Sequence, residues 1–267
     1  MVHAVDKLVL PSIRLSATLA EENEITIGAS KLGGLPDLPD AFEWPELNGA
    51  PMSFVAQIRL DELNQLDGAS ILPTSGMLWF FYDAAQESYG SDPGDRAGRQ
   101  VIFVNDLSEG QLQRRPAPDG LAPEAQFKAC SVAFNAEPTL PVNPGTDLPS
   151  LMWSLEEQVR YEAVYAAFPS HKASPDAKHR LLGHPDTIQD DMRGQCQLVA
   201  NGVTSSDDPE AAALLADAND WLLLLQVDSD DLSGMRWANT GMIYFWIKRN
   251  DLALRHFDNV WVVLQSE

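Results

Sequence analysis

FVAQIRLDEL, Phe54 to Leu63, aligns without gaps on LLLQVDSDDL, Leu223 to Leu232. Both stretches read Gln, then Ile or Val, two variable positions, Asp, a second acid and Leu. Downstream, GMLWFF from Gly76 meets GMIYFW from Gly241, at spacings of 19 and 15 residues from the respective glutamines. Upstream of each glutamine lies a punctuated loop, GGLPDLP from Gly33 and GHPDTIQDD from Gly183. Matches of this length, in the same order, indicate a tandem duplication. The expected pseudo-repeats span about 31–140 and 181–267, with a helical connection over about 149–180, all within a single domain covering 1–267. Each repeat has too few strands to cover its own sheet, so one shared core is expected.

The duplication explains most of the acidic corner that closes the second copy. Asp230 and Asp231 correspond to Asp61 and Glu62, where a strand gives way to a helical turn. An Asp there accepts from free N–H groups and complements the helix dipole, worth about 0.5–2 kcal/mol. Asp228 is the extra acid, standing where the first copy has Arg59. Counted from Asp228, a calcium loop would need ligands where Leu232 and Asn239 stand, and this excludes that motif.

The pattern predicts an α+β fold with a mostly antiparallel sheet built from the duplicated strand-rich unit. Phe54, Ala56, Ile58 and Leu60 alternate with Val55, Gln57 and Arg59, as in a half-buried strand. Leu222 to Leu225 is unbroken, which predicts a strand covered on both faces. Further strands are expected at Met77–Tyr82, Val101–Val104, Met242–Ile247 and Val260–Leu264. Helices are expected over Pro149–Phe168 and after Asp208–Pro209, where Asp as cap and Pro at the first position precede EAAALLADA. The segment Phe168–Gly183 is the expected connection between repeats.

At 267 residues and 45% hydrophobic content the chain can bury a large core. Cys130 and Cys196 lack any C-x-x-C pattern and read as free, buried thiols of a reducing compartment. The N-terminal MVHAVDKLVLPSIRLSA has charges and a proline where a signal peptide needs an unbroken apolar segment, and no apolar run approaches a membrane span, so the expected location is cytoplasmic. The formal net charge of −21 repels nucleic acid and anionic lipid and attracts basic proteins. Acids concentrate between Asp186 and Asp231, where Arg193 is the only Lys or Arg.

Catalytic templates fail: G-x-S-x-G, G-x-x-x-x-G-K-[ST] and G-x-G-x-x-G are all missing. Gly90, Gly94 and Gly98 read as a surface turn. His171, His179 and His184 are spaced by eight and five, unsuited to one helical face, and read as exposed loop histidines with no metal expected. A carboxylate pair could arise from Asp190 or Asp191 with Asp228, as a hydrolase would need. Trp44 and Trp237 fall in loops rich in Pro, Asn or Gly and are candidate anchors for a partner.

KLGGLPDLPDAFEWPELNGAPMSFVAQIRLDEL, LPTSGMLWFFYD, LLGHPDTIQDDM and LLLLQVDSDDLSGMRWANTGMIYFWIKRNDLALRHFDNVWVVLQ together resemble the YwqG-like family of bacterial proteins of unknown function, from Lys31 to Gln265. One departure is GHPD at Gly183, where the family often has a second glycine. The resemblance implies a duplicated α+β fold and no established catalytic residues; family members in bacterial toxin loci look like immunity proteins. The leading expectation is a non-enzymatic binding protein without cofactor or metal, neutralising a basic toxin encoded nearby, such as a nuclease. Asp186, Asp190, Asp191, Asp207, Asp208 and Asp228 would pair with the partner's bases, and Trp237 would supply the apolar anchor. The alternative is a small-ligand binder or enzyme using a cleft between the repeats, lined by Gln57, Gln226 and converging carboxylates. A scaffold whose acidity carries no function is the third reading.

Overall fold

In the computed structural model the structure describes residues 2–107, 110–148, 152–171 and 176–267, with the side chains of residues 2–4 outside that description. Ten strands form one antiparallel sheet: β1 (Leu10–Leu19), β2 (Lys31–Leu32), β3 (Ser53–Arg59), β4 (Met77–Tyr82), β5 (Arg99–Val104), β6 (Cys130–Thr139), β7 (Arg180–Leu181), β8 (Trp221–Asp228), β9 (Gly241–Lys248) and β10 (Trp261–Ser266). Their order is β10-β9-β8-β7-β1-β6-β2-β3-β4-β5. The first five strands and the last five thus repeat one strand pattern back to back about the β1–β6 pair and form the first and second copy, so that β6 falls in the second copy, whereas the expected first repeat of 31–140 took it in.

The copies exchange strands at the seam. β1 and β6 run antiparallel from Leu10↔Thr139 to Leu19↔Cys130. β2 then pairs with β6, and β7 pairs with β1, so the second strand of each copy is added to the first strand of the other. Neither copy closes its own ladder, and this gives the shared interior a covalent and hydrogen-bonded reason. Local detail repeats as well: Lys31 sits opposite Gln57 as Arg180 sits opposite Gln226, and a bulge interrupts the ladder at Phe54/Ala56 and again at Leu223/Leu225.

Alternation within strands sorts side chains onto two faces. Leu78, Phe80 and Tyr82 of β4 point into the common interior with Ile243, Phe245 and Ile247 of β9. Phe80 and Phe245 meet edge to face at 5.2 Å although their strands lie far apart in the sheet order, so the sheet curls towards a barrel. The curled edges are tied where Arg99 of β5 donates to the carbonyls of Val260 and Asp258. On the outer face, Met77, Trp79 and Phe81 lie under the loop carrying Phe42 and Trp44. Met242, Tyr244 and Trp246 lie under a helical layer of α4 (Arg193–Val199), α5 (Ala211–Leu215) and the turn Ala218–Asp220. Two further helices, α1 (Val2–Leu8) and α3 (Leu155–Ala167), share a smaller cluster of Leu8, Leu140 and Tyr161, beside the short helix α2 (Pro144–Asp147). A sixth, α6, spans Arg249–Leu254.

Several expectations are corrected. β3 is buried along almost its whole length rather than half-buried, because the loop above it covers the second face and the bulge turns both Val55 and Ala56 inward. The helix expected from Pro149 begins at Leu155, where Ser154 and Glu157 form a reciprocal capping box; residues 149–151 of that expectation lie outside the described ones, as do 172–175 of the expected connection. The helix expected after Pro209 begins at Ala211, with Asp208 accepting from the Glu210 N–H. Among the described residues no helix is long and apolar enough to cross a membrane.

Candidate functional site

Each copy folds a Gly-x-Pro-Asp loop back over its third strand and locks it with one glutamine. In the first copy the Asp37 N–H donates to Gln57 Oε1 (2.8 Å), while Gln57 Nε2 donates to the Ala29 carbonyl (2.7 Å) and to Asp37 Oδ2 (2.8 Å). In the second the Asp186 N–H donates to Gln226 Oε1 (2.8 Å), and Gln226 Nε2 donates to the Lys178 carbonyl (2.6 Å) and to Asp186 Oδ2 (3.0 Å). The residue across the ladder completes both clamps: Trp79 Nε1 donates to the Asp37 carbonyl and the Tyr244 hydroxyl to that of Asp186. Backbone geometry matches too. Gly33 and Gly34 have φ of 60° and 71°, and Leu182 and Gly183 have 60° and 73°. The missing second glycine therefore changes nothing in the loop's course; Leu182 accepts a left-handed conformation that glycine adopts at no steric cost.

A buried cation balances each aspartate. Lys31 Nζ lies 3.6 Å from Asp37 and Arg114 Nε 2.8 Å from it. Arg180 Nη2 lies 2.7 Å from Asp186, with Lys178 at 3.6 Å and His171 Nδ1 at 3.3 Å. Burial alone would raise the Asp186 carboxyl, but His171, Arg180, Lys178 and Gln226 outweigh it and hold it well below the usual carboxylate range. Burial pushes Arg180 and Lys31 down, against the pull of their aspartates. These clamps are sealed: Gln57, Gln226, Lys31, Arg180 and Asp37 are all inaccessible. They hold loops, and the Asp186 carboxylate is taken up by Arg180, Lys178 and His171.

Asp186 is consequently no partner-binding acid. Trp237 is likewise no exposed anchor, since it is 0% exposed and wedged edge-on between Tyr82 and Phe127 of the first copy. Trp44 is half-buried, stacked edge-on against Phe81 at 5.6 Å with its indole N–H on the Met52 carbonyl. Asp228 is partly buried and accepts from the Lys178 N–H (2.9 Å); burial raises its carboxyl in spite of that bond. Asp230 caps its turn by accepting from Leu232 and Ser233 N–H groups. Burial works against the Asp230 carboxylate, yet His179, whose Nε2 stands 3.6 Å away, and those two N–H groups bring it down to about 2.

The histidines are the other correction, because they are buried and bonded. His184 Nε2 meets the Leu8 carbonyl at 2.7 Å, and burial lowers the imidazole. His179 Nδ1 accepts from the Asp228 N–H, the place Ser30 Oγ fills for Arg59 in the first copy. His171 stacks on Tyr165 at 3.9 Å. Among the described residues no group of His, Cys, Asp and Glu converges as a metal cage.

What remains accessible is the helical layer over the second copy. Asp190, Asp207, Asp208, Glu210, Asp217 and Asp220 are exposed, and none forms an ion pair among the described residues. Asp191 differs, being held by Arg193, which Asp147 grips from the other side. At the foot of the layer a cavity of about 360 Å³ opens between Val142–Asn143, His184, Asp190–Asp191 and Trp221. The equivalent position in the first copy, at Gly34, Leu35 and Phe54, is a smaller apolar cleft of about 190 Å³. The two copies have thus diverged, and the second carries the polar, acidic one. Sequence reasoning missed the buried Arg180 and Lys31. The shared spacing of a cation six positions before Asp, Lys31 to Asp37 and Arg180 to Asp186, was the signal that could have found them.

Among curated proteins no match was found. A family model described as "Domain of unknown function (DUF1963)" matches residues 30–266, nearly the entire duplicated unit. The match covers well over half of the sequence, and the chain therefore belongs to the DUF1963 family.

Proposed function

We propose that the protein is a binding module for a cationic protein, engaged through the acidic layer over its second copy. The observation that carries this reading is the set of exposed carboxylates from Asp190 to Asp220 that have no cation of their own among the described residues. The buried and half-buried acids Asp37, Asp147, Asp186 and Glu137, by contrast, each face an arginine. Charge left uncompensated on one layer repels itself and is relieved by a positive surface. In its finer form the module is a cytoplasmic immunity protein that neutralises a basic toxin effector such as a nuclease, a reading supported by the resemblance to YwqG-like proteins. Binding through a cleft between the copies has less support, because Gln57 and Gln226 are sealed inside their clamps.

The test is co-purification with the product of the neighbouring gene, with affinity measured across ionic strength. Exposed charges are screened beyond about 8 Å at physiological salt, so affinity should fall steeply as salt rises. A triple reversal, D207K/E210K/D217K, should weaken binding without moving the melting temperature, since these side chains are exposed and, unlike Asp208, accept no bond at a helix start. No complex at low or high salt, or one that tolerates the reversal, refutes the reading.

A further inference from the structure

Helix α3 buries one apolar side and shows another to solvent. Tyr161, Val164, Tyr165 and Phe168 pack against Leu8 and Leu140. On the far side Leu155 is 77% exposed and Val159, one turn on, 56%; Met152, just ahead of the helix, is 91% exposed. Ala163 and Ala166 continue the line at helical spacing and are exposed as well. A helix on a protein surface normally turns charged residues outward, so an apolar stripe there marks a contact site.

The stripe borders a groove. Val142, Asn143, Pro144 and Gly145 form one wall and Met152, Gln158 and Glu162 the other, enclosing about 730 Å³. Val142, itself 48% exposed, and Asn143 also line the cavity that holds Asp190 and Asp191. Apolar stripe, groove and acidic cavity therefore form one continuous surface. Its charge is mostly acidic: Glu156, Glu162 and Asp190 flank it, Arg160 on the helix is paired to Glu156, and of the two arginines lining the cavity, Arg193 and Arg249, the first is held by Asp147 and Asp191.

Building on the binding reading above, we infer that this surface docks an amphipathic cationic segment of the partner. The segment's apolar side rests on Met152, Leu155, Val159 and Val142. Its Lys or Arg side chains reach Glu162 on one flank and, past Asn143, Asp190 on the other. A second copy of this chain fits poorly, because it would bring the same carboxylates against one another. The apolar anchor of the docking face is thus α3, the role that the buried Trp237 is unable to fill.

Two helical peptides of equal length and charge test this, one with leucines along one face and lysines along the other, one with serines replacing the leucines. The Ser/Lys peptide reads the acidic surface alone; the Leu/Lys peptide adds the groove. The wild-type protein should bind the Leu/Lys peptide about tenfold tighter, the scale of losing a central apolar contact. In L155S/V159S that advantage should vanish while Ser/Lys binding and the melting temperature stay unchanged. Equal binding of both peptides to wild type, or an advantage that survives in the variant, overturns the groove and leaves the acidic reading standing. If neither peptide binds, both fall. A concentration-dependent dimer abolished by L155S/V159S in sedimentation would assign the stripe to a second copy and overturn the inference.

Discussion

Replacing Gln226 by leucine keeps nearly the same volume while removing the three hydrogen bonds that this glutamine makes in its clamp. Two groups would lose their partner, the Asp186 N–H and the Lys178 carbonyl, and Asp186 Oδ2 would be left to Arg180 alone. A buried polar group left unsatisfied costs about 1–3 kcal/mol, so Gln226→Leu should cost roughly 2–6 kcal/mol. That is a large part of a net stability of about 5–15 kcal/mol. For a chain of this size it lowers the melting temperature by on the order of 10–20 °C. Gln57→Leu strands the matching pair, the Asp37 N–H and the Ala29 carbonyl, while Asp37 Oδ2 keeps the Gly28 N–H and Lys31, and should cost a similar amount. Because β2 is laddered to β6 and β7 to β1, damage to either copy should destabilise both. Circular dichroism on heating and in urea should show one transition, moved as a whole by each variant. A loss below about 1 kcal/mol would refute the clamp energetics. A two-step melt in which Gln57→Leu moves one step and Gln226→Leu the other would refute the shared interior.

Acid should attack the second copy through its depressed carboxyls. Asp230 has its folded pKa lowered to about 2, so the stability it contributes is present above its unfolded value near 4 and is lost as pH falls through about 2. Asp230→Asn should flatten the dependence of stability on pH between those limits, and a pH series of urea melts measures it. Gly33→Ala should destabilise by about 2 kcal/mol or more, because the new Cβ would stand 2.4 Å from the Lys128 carbonyl at a φ of 60°. Trp237→Ala should cost about 3–5 kcal/mol, which a urea melt reads directly, since the indole is a core side chain shared by both copies.

The equivalence of Gln57 and Gln226 was legible because it is local: a ten-residue match places the same side chain opposite Lys31 and Arg180. The central strands were less so. Ile13, Leu15 and Ala17 do alternate with Ser12, Arg14 and Ser16, but β1 has no counterpart by simple offset, since β1 starts 47 residues before Gln57 and its equivalent β6 starts 96 before Gln226. Strand exchange between copies is a long-range event, and periodicity does not encode it. Trp237 shows the same limit. Its neighbours Asn239, Thr240 and Gly241 read as a loop, whereas its environment is made by Tyr82 and Phe127 from the other copy. Asp186 read as one more acid in an acidic tract, yet folding sorts that tract into sealed clamp, cap and open layer. Within that tract, most of the acids left in the open are set around α4 and α5, where short helices pack by Cys196, Val199 and Ala211.

Amide hydrogen exchange, measured on the protein alone and bound to the product of the neighbouring gene, tests the placement of the binding face most directly. Protection gained across residues 190–220, the 142–145 wall and α3, with Trp237 and the two glutamine clamps unchanged, is the predicted footprint. Protection confined to the first copy, around Trp44 and the cleft at Gly34, would contradict it.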